Sequence, residues 1–339
     1  MNIAKNKKIN VLFLNPAPSL IKYGMYWGMS KIGCNAYLFD YGETALFDKP
    51  ADYQLKKIEE KIIEQKTNLI FCEGYGGAPI PQIKELCKKY GIQFHFWDIE
   101  SPVTPSIAMG QLKYADFMWS TCIEYIEKFR RMGYLSDLLL FGCNNDYHIA
   151  REPEDRFKHD ISVVGCNYSN RFDKTREFII PLFDKFDAFA YGFAWLDAGR
   201  PVNLCRHPDK VWGEPNGYLG YENLGSVIAS SKIMLGMNCQ TDLSITQTSC
   251  RPFETLAWSN NAIYLAWYTP AQNTLFGDYM YQAHNKQEMI DMANEILAMT
   301  DEQRIAYAKR SSEYVHREHN YARRAQTVVD KAFELGGID

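Results

Sequence analysis

Short apolar runs that stop at Gly, Pro, Asn or Asp alternate with segments of helical spacing along this chain, and the alternation is played twice. The first series opens with the strand-like run 10–15, Asn-Val-Leu-Phe-Leu-Asn, which Pro16 stops, and helical spacing follows over 20–32. Further strands are predicted at 36–39, 68–72, 93–97, 116–120 and 138–141, with helices at 53–65, 81–90 and 123–132. Polar, turn-rich residues 142–160 interrupt the pattern. It resumes with strands at 161–164, 188–191, 233–237 and 262–266 and helices at 174–183, 222–230 and 251–258. Strands joined by helices rather than tight turns pair in parallel, because a parallel pair needs a long crossover and is covered on both faces. The expected fold is therefore α/β, with two doubly wound, Rossmann-like domains facing across a cleft. Their boundaries are set at 1–150 and 151–315, with 316–339 a closing helix that returns to the first domain. Asn285 with Glu288, and Thr300 with Gln303, have capping-box spacing and mark the starts of the last helices.

Composition narrows the function. A chain of 339 residues with 46% hydrophobic content has room for two cores and is not a disordered polymer. A net charge of −4 gives no overall field for a polyanion, and Lys5, Lys7 and Lys8 read as a solvated leader. The nine cysteines, at 34, 72, 87, 122, 143, 166, 205, 239 and 250, form no Cys-x-x-Cys pair. That is the usage of a reducing compartment, and a cytoplasmic location is expected. Residues 1–10 are polar and basic rather than a secretory signal, and no apolar run approaches the ~20 residues that span a bilayer.

Parallel sheets bind ligands outside the carboxyl ends of their strands, which directs attention to loops 15–24, 73–79, 97–105, 165–171, 192–195 and 238–251. Arg251 and Glu254 stand three apart at a helix start and so share one side of it. They could hold an anion and a sugar hydroxyl, or simply pair with each other. Gly165 and Gly192 end strands, where they allow close backbone approach to a phosphate or form plain turns. Arg171 follows a strand directly, and Trp195 could wall a nucleotide pocket or pack a core. Glu73 and Glu100 follow strands of the first domain, where either could take a proton from an acceptor or satisfy loop amides. His95 reads as a packed histidine and His148 as a more exposed group on the acceptor side.

Other chemistries lack their residues. Gly74-Tyr75-Gly76-Gly77 has no following Lys-Ser/Thr and is not an ATP loop, no Gly-x-Ser-x-Gly elbow occurs, and Cys and His lack zinc spacing. Acid pairs such as Glu59-Glu60 and Asp301-Glu302 sit in helical surface runs. A metal-free anion site built from Arg171, Lys232, Arg251, the amides after Gly165 and a helix start is the better reading.

The segment Ser230-Ser231-Lys232-Ile233-Met234-Leu235-Gly236-Met237-Asn238, followed by Arg251-x-Phe253-Glu254, resembles the CgeB-like glycosyltransferases, a family of GT-B architecture. Trp97-x-x-Glu100-Ser101-Pro102, Asn170-Arg171 after the strand at 161–164, Tyr191-Gly192-x-x-Trp195 and His319-x-Tyr321-x-x-Arg324 are similar to family steps in the same order. The resemblance implies transfer of a sugar from a nucleotide-sugar, UDP-linked, to a hydroxyl or amine, without metal or further cofactor and with retention of configuration. It implies that Glu254 accepts hydrogen bonds from the donor ribose while Arg251 faces the phosphates. The catalytic candidates are Arg251, Lys232, Glu100 and Glu73, and the donor-binding candidates are Gly165, Asn170, Arg171, Gly192, Trp195, Tyr221, Asn238, Ser249, Phe253 and Glu254. Related retaining enzymes carry a second glutamate eight positions before Glu254, where this chain has Thr246. A polysaccharide, a protein, a small molecule and a modified nucleic-acid base all stay open as acceptor. So do two other functions, a non-catalytic nucleotide- or carbohydrate-binding protein on the same scaffold and a nucleotide-sugar epimerase.

Overall fold

The computed structural model of the chain describes residues 8–15, 20–40, 49–73, 79–196, 208–212, 217–238 and 244–337. They fall into two compact units, Met1–Asn144 with Asn320–Asp339, and Asn145–His319. Each is an all-parallel α/β sheet.

In the first unit, β1 (Asn10–Asn15), β2 (Asn35–Asp40), β3 (Leu69–Glu73), β4 (Gln93–Asp98), β5 (Phe117–Ser120) and β6 (Ser136–Leu138) lie in the order β2-β1-β3-β4-β5-β6. Every residue of β3, β4 and β5 is buried, as expected of strands covered on both faces. The strand order reverses between β1 and β3, and Glu73 is the last residue of β3. The expected glycine loop Gly74-Tyr75-Gly76-Gly77 lies outside the described residues, as do Lys5, Lys7, Cys205 and Cys239.

Two features of this unit differ from expectation. The last strand is Ser136–Leu138 rather than 138–141, because its partner β5 ends at Ser120, which pairs with Leu138. The apolar residues that suggested a later strand pack instead: Leu139 accepts the indole N–H of Trp97 through its carbonyl at 2.9 Å, and the Phe141 ring centroid lies 5.5 Å from that of Trp97. The helix Pro105–Gln111 has no sequence counterpart, since Ala108 is its one fully buried residue and no apolar stripe announces it.

The final helix, Tyr321–Leu335, belongs to this unit. The Tyr321 N–H donates to the Cys143 carbonyl at 2.9 Å, and the Gln93 side-chain amide donates to the Ala332 carbonyl at 2.8 Å. Gly28, on the helix Tyr26–Lys31, lies so close that a Cβ there would stand 2.3 Å from the Tyr321 carbonyl oxygen. Backbone cannot yield as a flexible side chain can, so this helix contact requires glycine.

In the second unit, β7 (His159–Val164), β8 (Ala188–Tyr191), β9 (Ser231–Gly236), β10 (Ile263–Trp267) and β11 (Tyr281–Ala283) lie in the order β11-β10-β9-β7-β8. The order reverses between β7 and β9. The helix Arg251–Trp258 has its expected bounds, with Pro252 in its first turn, where a missing N–H costs nothing. Asn285 caps the helix Lys286–Ala298, and Thr300 with Gln303 forms a reciprocal capping box on Asp301–Glu318. The closing helix expected over 316–339 spans Tyr321–Leu335, after the preceding helix ends at Glu318, and Asn320 caps it by accepting the Arg323 N–H. The helix Pro270–Phe276 and strand β11 were not anticipated. No helix among the described residues is long and apolar enough to cross a membrane.

Replacing Gly28 with alanine is expected to destabilise the protein by about 1–3 kcal/mol and to expose the last helix to protease. Equilibrium unfolding with limited proteolysis checks this, and unchanged stability would show that the helix contact is looser than described.

Candidate functional site

The reversal between β7 and β9 puts two carboxyl strand ends side by side, the general location of a ligand crevice in such sheets. After β7 the chain passes Gly165 and turns through Ser169–Arg171. Arg171 folds back over its own strand end, its Nη1 donating to the Cys166 carbonyl at 2.8 Å and its guanidinium lying 5.5 Å from the Tyr168 ring centre. After β9 comes Asn238, whose buried Oδ1 accepts from the Ser249 hydroxyl at 3.4 Å. Three buried polar atoms at this edge have no hydrogen-bond partner among the described residues: Asn238 Nδ2, Asn170 Oδ1 and the Tyr264 hydroxyl. A ligand with donors and acceptors would satisfy them. Tyr264 rises from β10 over Gly236, where a Cβ would stand 2.6 Å from its hydroxyl oxygen, so the glycine makes room for the phenol. Burial pushes the Tyr264 pKa up, and the positive charges of Arg251 and Arg171 both act against that shift. The two guanidiniums are thus in electrostatic reach of one hydroxyl.

Helix Arg251–Trp258 presents the second part of the site. Glu254 is only 2% exposed, yet both carboxylate oxygens have donors. Arg251 Nη1 donates to Oε2 at 3.0 Å, and the Tyr221 hydroxyl donates to Oε1 at 2.9 Å. The Arg251 side chain keeps 24% exposure and so reaches the surface beside a buried carboxylate. Burial, with Glu254 the next contribution, pushes the Tyr221 pKa up and keeps the phenol a proton donor. Behind Tyr221 lies His148 Nε2, 3.0 Å from its hydroxyl. His148 is buried rather than exposed as its loop position suggested, because the Trp258 ring packs against it, tilted by 53° with centroids 4.3 Å apart.

Several candidates have other work. Gly192 faces the Gly165 backbone so closely that a Cβ would lie 2.2 Å from the Gly165 carbonyl oxygen, and its φ of +135° suits glycine. It is required by chain packing. Trp195 has a packing role: it is buried, its indole N–H donates to the Gly165 carbonyl at 2.9 Å, and its ring lies 6.3 Å from that of Phe183. Phe253 is fully buried, with its ring 4.9 Å from Phe276 and 5.4 Å from His319. Lys232 is the second residue of β9, so it stands at the amino edge of the sheet, paired with Asp160 at 2.8 Å. It lines a cavity of about 600 Å³ with His159, Asp187 and Arg304, at the opposite end of the strands from Arg171 and Asn238. That topology separates it from the other cations of the candidate set.

In the first unit, Glu73 is 1% exposed, and its Oε2 has no hydrogen-bond partner among the described residues. Burial, then the negative charge of Glu100, pushes its pKa from 4.5 up to about 8. Glu100 is half-buried and also shifted up, by burial and then by Asp98. Asp98, which the sequence did not single out, organises the turn after β4: its Oδ1 accepts from the Glu100 and Ser101 N–H groups at 3.1 Å each and its Oδ2 from the Ser120 hydroxyl at 2.9 Å. An acid directly after Trp97 was the available signal.

Residues 194–330, which include Tyr221, Asn238, Arg251 and Glu254, match the family model described as glycosyl transferase-like. No curated protein matches the sequence. Among solved structures, HepE of Anabaena in complex with UDP and glucose is similar over 96% of this chain and 100% of its own, at 11% identity and a TM-score of 0.64. Sucrose-phosphate synthase of Thermosynechococcus elongatus is similar over 97% and 99%, at 11% identity and 0.63. A trehalose-6-phosphate synthase studied with bisubstrate glycomimetics is similar over 96% and 98%, at 12% identity and 0.59. Two parallel, Rossmann-like α/β units of the GT-B class are the fold this chain shares with them.

Glu73 gives stability a defined pH dependence. Between its unfolded pKa of 4.5 and its native value of about 8, the unfolded chain has lost a proton that the native protein keeps. Its contribution is therefore complete below pH 4.5 and lost as pH rises towards 8, on the order of 1 kcal/mol per pH unit. Urea unfolding at several pH values should show this decline in the wild type and a flatter profile in Glu73→Gln. Parallel profiles would mean that Glu73 is ionised in the native protein.

Proposed function

We propose that this chain is a GT-B glycosyltransferase related to the CgeB-like family, binding a UDP-linked sugar on its second unit and transferring the sugar to a hydroxyl or amine. The observation that carries this reading is the buried Glu254 carboxylate, paired with a partly exposed Arg251 at the first turn of one helix, inside the stretch that matches glycosyl transferase-like sequences. Arg251 takes a site on one carboxylate oxygen and Tyr221 a site on the other, the Cys250 thiol also bonds the carboxylate, and the acceptor capacity that is left suits a ribose hydroxyl. The structures of HepE with UDP-glucose and of Staphylococcus aureus MnaA with UDP support a uridine nucleotide as donor.

In the transfer, the bond between the anomeric carbon and the diphosphate oxygen breaks, and its electron pair leaves with the diphosphate. The acceptor oxygen or nitrogen bonds to that carbon and gives up a proton. Arg251, with Arg171 in reach of the same hydroxyl, supplies positive charge where the leaving group gains negative charge. That assignment makes the reaction metal-independent. In the first unit the proton is assigned to Glu73, which can accept it only when ionised; its pKa of about 8 makes it a stronger base than an ordinary carboxylate and reserves that role for pH near and above 8. Retention of configuration is supported by the resemblance and by the retaining transfer named for the trehalose-6-phosphate synthase. Cys34, Cys72, Cys87, Cys166 and Cys250 are free thiols, which supports a cytoplasmic setting.

One observation favours a binding protein instead. Thr246, at the place of the second glutamate in related retaining enzymes, is buried and its N–H donates to the Ser244 hydroxyl. Incubation with UDP-sugars separates the two readings. A transferase releases UDP slowly even without acceptor and in the presence of a strong chelator; saturable binding without release favours the binding protein.

The two residues should then behave differently. Arg251→Ala is expected to lower turnover by about 2–4 kcal/mol, some 30- to 1000-fold, by removing charge stabilisation at the leaving group. Glu254→Gln should chiefly raise the donor KM, because ribose contacts exist before and during the reaction. Wild-type kinetics in both folded variants would reduce the pair to a helix-end salt bridge.

A further inference from the structure

We infer that Tyr221 and His148 form a positioning relay that holds the Glu254 carboxylate as a double acceptor aimed at the donor ribose. The inference rests on the proposed function and assigns to this chain two residues that act through Glu254 rather than on the donor.

The hydrogen-bond directions carry the argument. Tyr221 has one proton, and Glu254 is its acceptor at 2.9 Å. His148 Nε2, 3.0 Å from the same oxygen, must then be the donor, which fixes the imidazole as the tautomer protonated on Nε2. A charged imidazolium is disfavoured there, because burial, helped by the positive charges of His316 and Arg251, lowers the His148 pKa to about 3. The relay thus runs in one direction, from imidazole to phenol to carboxylate. It occupies one acceptor site on Oε1, as Arg251 does on Oε2.

Packing holds the relay in place. The Tyr147 ring stacks on Tyr221 at 5.9 Å and 7°, and Trp258 lies 5.6 Å from Tyr221 and 4.3 Å from His148. The Trp258 indole N–H donates to the Tyr147 carbonyl at 3.2 Å, tying the same helix that carries Glu254 to the segment that carries His148. Rings locked on several sides leave the Tyr221 hydroxyl little choice of direction. Without the Tyr221 hydroxyl, Oε1 loses the donor that fixes its direction, and the ribose hydroxyls would no longer meet a fixed acceptor there.

The test compares binding of ribose and deoxyribose nucleotides. Uridine, guanosine, adenosine and cytidine diphosphates are titrated against the wild type by calorimetry, followed by the 2′-deoxy form of whichever binds most tightly. Inorganic pyrophosphate serves as the control for the phosphate side. The variants are Tyr221→Phe and His148→Phe, with Tyr221→His as a second route if the first fails to fold. The wild type should prefer the ribonucleotide by about tenfold or more, the worth of a hydrogen bond to a charged group. Tyr221→Phe should lose most of that preference while pyrophosphate affinity stays within about twofold, a split that general disruption of the fold does not produce. His148→Phe should lose part of it. Undiminished ribose preference in folded Tyr221 variants overturns the relay and leaves the proposed function standing. A wild type that binds none of the four nucleotides overturns that function and the relay with it.

Discussion

A carboxylate removed from water survives only where donors replace the lost hydration, and in the second unit Glu254, 2% exposed, makes that demand. Arg251 meets one oxygen and Tyr221 the other. The remainder of the second unit can be read outward from that arrangement. The helix that carries both charged residues begins with Pro252 in its first turn, its aromatic end packs against Tyr147 and His148, and its start lies at the carboxyl edge of the sheet near Asn238 through Ser249. Ion pairs between neighbours on a helix are commonplace and of small energetic weight at the surface. This one differs because one partner is buried and the other reaches outward.

Close backbone approach keeps that edge in shape. Gly165, Gly192 and Gly217 are stacked so tightly that a Cβ on either of the last two would strike the carbonyl oxygen of the one before. Trp195 then locks Gly165 with its indole N–H, and Gly236 makes room for the Tyr264 hydroxyl. Here the glycines permit close backbone packing, while polar atoms on Asn238, Asn170 and Tyr264 are left without partners among the described residues.

Much of this was legible from the sequence, and the failures have physical causes. The alternation of strands and helices, the caps at Asn285 and Thr300 and the helix 251–258 follow from local periodicity and capping chemistry, which neighbouring residues encode. For Gly192 and Trp195 the sequence leaves ligand and packing roles open, because a glycine needed by a ligand and one needed by a crossing backbone look alike in a sequence. Lys232 lies at the amino end of its strand under either set of bounds, away from the loops that follow the strands, and Asp160 meets it there. Tyr221 and His148 lie 73 positions apart, and nothing local brings them together. Asp98 was passed over for Glu100, although its own side chain organises the turn in which Glu100 sits.

The most direct test is the structure of the protein with the nucleoside diphosphate it binds best, solved by crystallography. The account predicts ribose hydroxyls within hydrogen-bond distance of both Glu254 carboxylate oxygens, a phosphate on the exposed side of Arg251, and no metal ion between phosphate and protein. A nucleotide bound elsewhere, or one whose ribose makes no contact with Glu254, would contradict it.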